Sequence, residues 1–217
     1  MRVTSSAPWR PEVAPPGSAG TALPGQAMGE VGALPGDLAI WVFIFAELAV
    51  FALLFAAFSF ARAAHPASFA DGQRALARGL GLAETLVLLS SGYGVARASR
   101  SMARGRARAC AGWLLGALML GCGFAALKGF ELDADLHRGM SLSGSLFDMF
   151  YLSLSFFHLM HVLMGLLILA VVAWKAFAGR YAPGQHSGVE TAGSYWHMVD
   201  LLWLVLFFLL YVSHPYR

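Results

Sequence analysis

Residues 146–169 form a predominantly apolar run with two histidines, His158 and His161, near its middle. At 1.5 Å per helical residue this run exceeds a hydrocarbon core of about 30 Å. In lipid every backbone N–H and C=O must find a partner within the protein, which leaves helices and closed barrels. The run lacks the strict alternation of a barrel strand, so it predicts a transmembrane helix, prolonged to about residue 174. Four further runs meet the same length criterion, at about 38–61, 79–97, 109–131 and 191–213. The expected fold is therefore all-α, an integral membrane bundle of five transmembrane helices within residues 37–217. The second run is the weakest, because Glu84 and Ser90-Ser91-Gly92 interrupt it.

Composition agrees. The chain is 58% hydrophobic and 12% charged, against about 25% charged in soluble domains. The net charge of +3 is small and its basic residues gather in one loop, which points to membrane orientation and not to nucleic acid. Cys110 and Cys122 stand in or beside an apolar run without metal-type spacing and read as small packing residues. Residues 1–36 hold six of the nine prolines and no apolar run, so they read as a loose or disordered tail rather than a signal peptide.

The basic residues orient the bundle. Arg97, Arg100, Arg104, Arg106 and Arg108 follow the second run; with Arg2, Arg10, Lys175 and Arg180 that side carries nine, against five on the other (Arg62, Arg74, Arg78, Arg138, Arg217). The positive-inside rule then puts the N-terminus in the cytoplasm and the C-terminus outside. Trp41, Trp113, Trp174, Trp196 and Tyr211 fall near run ends, where interfacial anchors belong. Gly112 and Gly116 in the third run, with Gly121 and Gly123 beyond them, suggest a close helix–helix contact face.

Polar side chains at membrane depth are costly and mark functional candidates. Glu47, flanked by Phe43, Phe45, Phe51 and Phe55, admits proton exchange, hydrogen bonding to a lipid or neighbouring helix, or a purely structural role. His158 and His161 share a helix face at i, i+3, as do His197 and Asp200. If the fourth and fifth helices are neighbours, the four groups could join one buried network, whether structural, lipid-binding or proton-handling. Metal or haem ligation is the weaker reading, since one i, i+3 pair does not supply ligands from opposite sides. Lys128 and Glu131 close the third run as an expected ion pair near the outer interface, and Glu84 reads as a boundary charge on the same side. No nucleotide loop, HExxH, CxxCH or nucleophile triad is present, and only three of the seven histidines lie in the runs.

Four stretches together resemble subunit III of the haem–copper oxidases. Trp41-Val42-Phe43-Ile44-Phe45-Ala46-Glu47 with Phe51 is similar to that family's W-x-F-I-x-x-E-x-x-x-F helix. Thr85-Leu86-Val87-Leu88-Leu89-Ser90-Ser91-Gly92 resembles its T-x-x-L-L-x-S-G segment, and Phe157-His158-Leu159-Met160-His161-Val162 with Gly165 its G-F-H-x-L-H-V-x-x-G. Val189-Glu190 and Tyr195-Trp196-His197-Met198-Val199-Asp200-Leu201-Leu202-Trp203 resemble its F-E-x-x-x-x-Y-W-H-F-V-D-x-V-W close. Five helices instead of seven, Pro35-Gly36 before the first helix, the arginine loop and the Tyr-Trp-His-Met-Val-Asp close look most like the nitric oxide reductase-associated branch. Ser155-Phe156-Phe157 stands where family members usually have a glycine before the Phe, and Lys128 where many are uncharged.

The resemblance implies an accessory subunit that is not an enzyme by itself and binds no cofactor of its own. Haem and copper, or non-haem iron, would reside in a catalytic subunit I-type partner from an oxidase or nitric oxide reductase. Bound phospholipid and a bacterial cytoplasmic membrane location are implied as well. Glu47 matches the family's carbodiimide-reactive glutamate; Glu47, His158, His161, His197 and Asp200 are the leading site candidates, with Glu84, Lys128, Glu131, Glu190 and Trp196 behind them. The rival classes are a small membrane enzyme with a histidine-bound metal and a proton-coupled transporter, although no internal repeat supports the latter.

Overall fold

The structure, a computed structural model, describes residues 38–181 and 187–213. The tail expected over residues 1–36 lies outside the described residues. Six helices follow in order: α1 Leu38–Ala64, α2 Pro66–Ala75, α3 Arg78–Ala103, α4 Ala107–His137, α5 Leu146–Phe177 and α6 Ser187–Phe207. A π-helical turn, Phe208–Val212, continues α6. Five of these elements are long and apolar enough to span a bilayer, as the sequence predicts. The chain is a multi-pass, all-α membrane protein.

Local chemistry sets the breaks. Residues 38–64 contain neither glycine nor proline, so α1 runs unbroken until His65, which precedes Pro66. A residue before proline is disfavoured in the helical region, and His65 leaves it (φ −130°, ψ 59°) while Pro66 opens α2. Gly105 and Gly139 adopt left-handed φ values of 70° and 95° after α3 and α4, a conformation that costs glycine little. A reciprocal cap starts α5: Ser145 Oγ accepts from the Asp148 N–H at 3.1 Å, and Asp148 Oδ2 accepts from the Ser145 N–H at 3.2 Å.

Helices α3 to α6 form a closed ring of neighbours, α3 on α4, α4 on α5, α5 on α6 and α6 back on α3. Helix α1 leans on this ring from outside, touching α5 and α6 lightly. Only 11% of its most apolar window is buried, against 56% for α6 with its π turn. Its fully buried contacts are Phe51, whose ring meets His161 edge-on at 5.1 Å, and Phe58, which meets Phe69 of α2 at 5.2 Å and Phe150 of α5 at 5.8 Å. Helix α2 is thus a clip between α1 and α5, too short and too polar overall to register as an apolar run. Its buried Gln73 donates from Nε2 to Leu209 O at 2.8 Å, one of the carbonyls the π turn releases.

Two expectations are corrected. Cβ atoms built on Gly112 and Gly116 meet nothing within 4 Å, so that spacing marks no contact within the chain; Gly121 instead faces Leu166 and Trp196. Trp196 and Tyr211 are not interfacial anchors but buried core residues, because α6 packs against both α3 and α5 along its length. Trp113 and Trp174 are exposed as expected, with Arg97 and Arg180 stacked over their rings at 5.3 and 4.5 Å. Cys110 is buried in the core, whereas Cys122 is exposed.

Candidate functional site

The intramembrane polar residues do not join into one network. At about 100° per residue, His158 and His161 stand about 60° apart around α5, and on this helix that is enough to give them different neighbours. His158 consequently faces the ring interior, His161 faces α1, and the α6 pair His197 and Asp200 faces α3.

His161 Nε2 lies 3.0 Å from Glu47 Oε2, and its Nδ1 lies 2.7 Å from Phe157 O. A carbonyl oxygen only accepts, so Nδ1 carries a hydrogen. The hydrogen of the Nε2–Oε2 bridge then comes either from a protonated carboxyl or from an imidazolium. In both cases the pair shares one proton. The two side chains are 16% and 24% exposed, so this bridge lies at the edge of the bundle, where α1 meets α5. Tyr195 donates to His161 O at 3.2 Å and fixes the register of α5 on α6.

His158 is fully buried. Its Nε2–H donates to Val199 O at 3.2 Å, while its ring packs against Phe124 and Trp203 at 5.8 and 5.2 Å. Trp203 Nε1 in turn donates to Thr85 Oγ1 at 3.0 Å, and Ser91 Oγ donates to Ala117 O at 2.7 Å. This set clasps α3, α4, α5 and α6. His197 Nδ1 is 3.5 Å from Asp200 Oδ2; the aspartate is buried but 46% of the histidine side chain is exposed. Asp200 Oδ2 abuts Gly92, and a Cβ there would collide with it. Gly92→Ala is expected to cost about 1–3 kcal/mol by overpacking and to push Asp200 away from His197. Thermal unfolding in detergent micelles checks the cost.

Sequence reading goes most astray at the third group. The expected Lys128–Glu131 ion pair forms, but Lys128, Glu131 and Glu84 are not boundary charges; all are buried, with Lys128 and Glu84 at 0% exposure. The reason is that α4 continues nine residues past Lys128 to His137, roughly 14 Å at 1.5 Å per residue, so the lysine stands well inside the bundle. Lys128 Nζ donates to Glu131 Oε2 at 2.5 Å and to Tyr211 Oη at 2.8 Å, and lies 3.5 Å from Glu84 Oε2. The rings of Trp203, Tyr211 and Tyr151 surround it at 4.9 to 5.5 Å. Tyr151 Oη donates to Asp135 Oδ2 at 2.9 Å, and Arg138 Nη1 reaches Asp135 Oδ1 at 2.8 Å. Asp135, Arg138 and Tyr151 are absent from the sequence-based candidates. The signal that marks Asp135 is the spacing Lys128, Glu131, Asp135, which places three ionisable groups on one face of α4.

Glu190 lies half-buried in the first turn of α6. Among the described residues no three His, Cys, Asp or Glu side chains are grouped so as to hold a metal ion; the three intramembrane histidines each have a separate partner. A groove of about 390 Å³ between α4 and α5 is lined by Leu132, Leu136, Leu142, Leu152, Phe156 and Phe157, with Ser153 as its one polar residue.

Residues 34–214 match the family described as cytochrome c oxidase subunit III. The chain is 32% identical over 196 residues to the cytochrome c oxidase subunit 3 of Synechocystis sp., covering 88% of this chain and 82% of that protein. It is 29% identical over 176 residues to the Thermostichus vulcanus protein of the same description, covering 81% and 86%. Against the Marchantia polymorpha subunit 3 it is 29% identical over 133 residues and spans about half that relative's length (49%).

Proposed function

Because the chain belongs to the cytochrome c oxidase subunit III family, we propose that it is a non-catalytic accessory subunit of a respiratory haem–copper oxidase-type complex. In this reading it packs in the membrane against a catalytic subunit I-type partner, which holds the haem with copper or non-haem iron. It keeps phospholipid in place and sustains the partner's proton uptake. The carrying observation is the Glu47–His161 bridge, a proton-sharing pair at membrane depth that is satisfied yet open at the edge of the bundle. A carboxyl placed there without function would be a costly residue to keep. The apolar groove between α4 and α5 suits an acyl chain.

The bacterial cytoplasmic membrane is the proposed location, with the N-terminus inside, on the arginine bias. The parent complex reduces oxygen or, if the chain belongs to the nitric oxide reductase-associated branch, nitric oxide. Pro35-Gly36, the arginine loop and Tyr195 to Asp200 favour that branch. Extraction in mild detergent is expected to bring down a haem-containing membrane partner; its absence, or stoichiometric haem on this chain alone, would overturn the accessory role.

Glu47→Gln keeps the size of the side chain and one hydrogen bond but removes the exchangeable carboxyl proton. The expected outcome is an assembled complex with a normal initial rate, whose activity decays several-fold faster during prolonged turnover, with less bound phospholipid. Unchanged decay and unchanged lipid content would remove Glu47 from the function.

A further inference from the structure

The caged lysine has a charge balance that does not close. Three buried carboxyls, Glu84, Glu131 and Asp135, face two cations, Lys128 and Arg138. Each carboxyl is differently supported. Glu131 accepts from Lys128 at 2.5 Å and from Tyr211 at 3.1 Å. Asp135 accepts from Arg138 and Tyr151 at 2.8 and 2.9 Å. Glu84 is wholly buried, and neither of its oxygens accepts a hydrogen bond; its nearest cation is the already shared Lys128 Nζ at 3.5 Å.

His158, whose ring also packs on Trp203, does not supply the missing positive charge. Its Nε2–H is used by Val199 O, and its Nδ1 is buried with no acceptor in reach. A hydrogen on Nδ1 would be a stranded donor. The remaining groups facing the cluster, Tyr151 from α5 and Tyr211 from the π turn, are neutral phenols. An isolated buried carboxylate is costly enough that the group neutralises instead.

We propose that Glu84 is a proton-binding site, holding one proton on its carboxyl within the folded chain, so that the five ionisable groups are electrically neutral together. Glu131 and Asp135 remain carboxylates, and Lys128 keeps its charge between them. Along the same face of α4 the buried series Lys128, Glu131 and Asp135 ends at Arg138, whose side chain is 63% exposed. It is separate from the Glu47–His161 bridge and does not depend on the accessory reading, because it belongs to the isolated chain.

Infrared spectroscopy of the full chain in lipid nanodiscs tests this through the carbonyl stretch of a protonated carboxylic acid, which lies above the amide I band and shifts in D2O. In a Glu47→Gln background, which removes the other glutamate candidate, one glutamate band is expected; any band from the buried Asp200, whose Oδ1 has no partner, is told apart because glutamate labelling leaves it unmoved. The glutamate band should shift on carbonyl 13C-glutamate labelling, persist when sodium and potassium are exchanged for a bulky organic cation, and vanish in Glu84→Gln. Lys128→Met leaves three carboxyls facing one cation and is expected to add a second band. The labelling result needs no change at Glu84, so it holds even if Glu84→Gln folds poorly. No band that labelling shifts in the starting protein, or one that appears only after alkali cations are withdrawn, would overturn the proposal; the latter would assign the site to a monovalent cation.

Discussion

Replacing Lys128 by methionine is expected to destabilise the chain by about 3–5 kcal/mol, the range for removing one partner of a buried ion pair. Methionine retains most of the lysine's length and can still fill the space between Trp203, Tyr211 and Tyr151, so volume is nearly conserved and the lost charge dominates. Glu131 then loses its 2.5 Å donor, and Arg138 cannot replace it because it is engaged with Asp135. Total stabilities of about 5–15 kcal/mol make this a decisive fraction. Denaturant unfolding in micelles measures it. Adding Glu131→Gln to Lys128→Met should recover part of the loss, since it removes the carboxyl that must take up a proton once its donor is gone; equal instability of the single and double variants would mean that the lysine acts through packing alone.

Trp196→Ala is expected to cost a further independent amount of about 3–5 kcal/mol, the usual range for emptying a buried tryptophan site. Trp196 is fully buried, with its ring wedged between α4 and α5 at two glycines. A Cβ on Gly165 would come within 2.8 Å of the ring, and one on Gly121 within 2.9 Å. Its Nε1 has no hydrogen-bond partner, so the whole loss is packing. Gly165→Ala is the reciprocal test: it should destabilise by steric crowding, and Trp196→Phe should relieve part of that. If the two effects simply added, the wedge would not be the contact that matters.

The two sites differ in how far the sequence discloses them. The five spans are readable because bilayer thickness imposes a length that apolar runs must meet, and Glu47, His158 and His161 are conspicuous as titratable groups inside such runs. Their pairing is not readable. Glu47 and His161 are 114 residues apart, and only the way α1 leans on α5 brings them together. Helix α2 escapes notice because Pro66–Ala75 is short and mostly polar, its worth lying in two side chains, Phe69 and Gln73, that seat on other helices. The lysine cage is hidden for a different reason. A charge near the end of an apolar run is ambiguous between surface and interior, and here the helix carries on past it. The motif Tyr-Trp-His-Met-Val-Asp is legible as a family signature, but which of its members faces lipid and which faces α3 is a matter of rotation that no motif encodes.

The placement of α1 has a consequence for biogenesis. The ribosome releases this helix into the bilayer before any of its neighbours exist. At about 5–20 residues per second, the 114 residues separating Glu47 from His161 take roughly 6–23 s to emerge. For that interval the glutamate has no imidazole to lean on, while α3 and α4 are already able to close on one another. Of the described spans, α1 is made first yet cannot complete its contact with His161 until α5 has emerged, and a substitution at His161 or Phe58 should be felt as slow or incomplete maturation of newly made chains, even where the finished four-helix ring is sound.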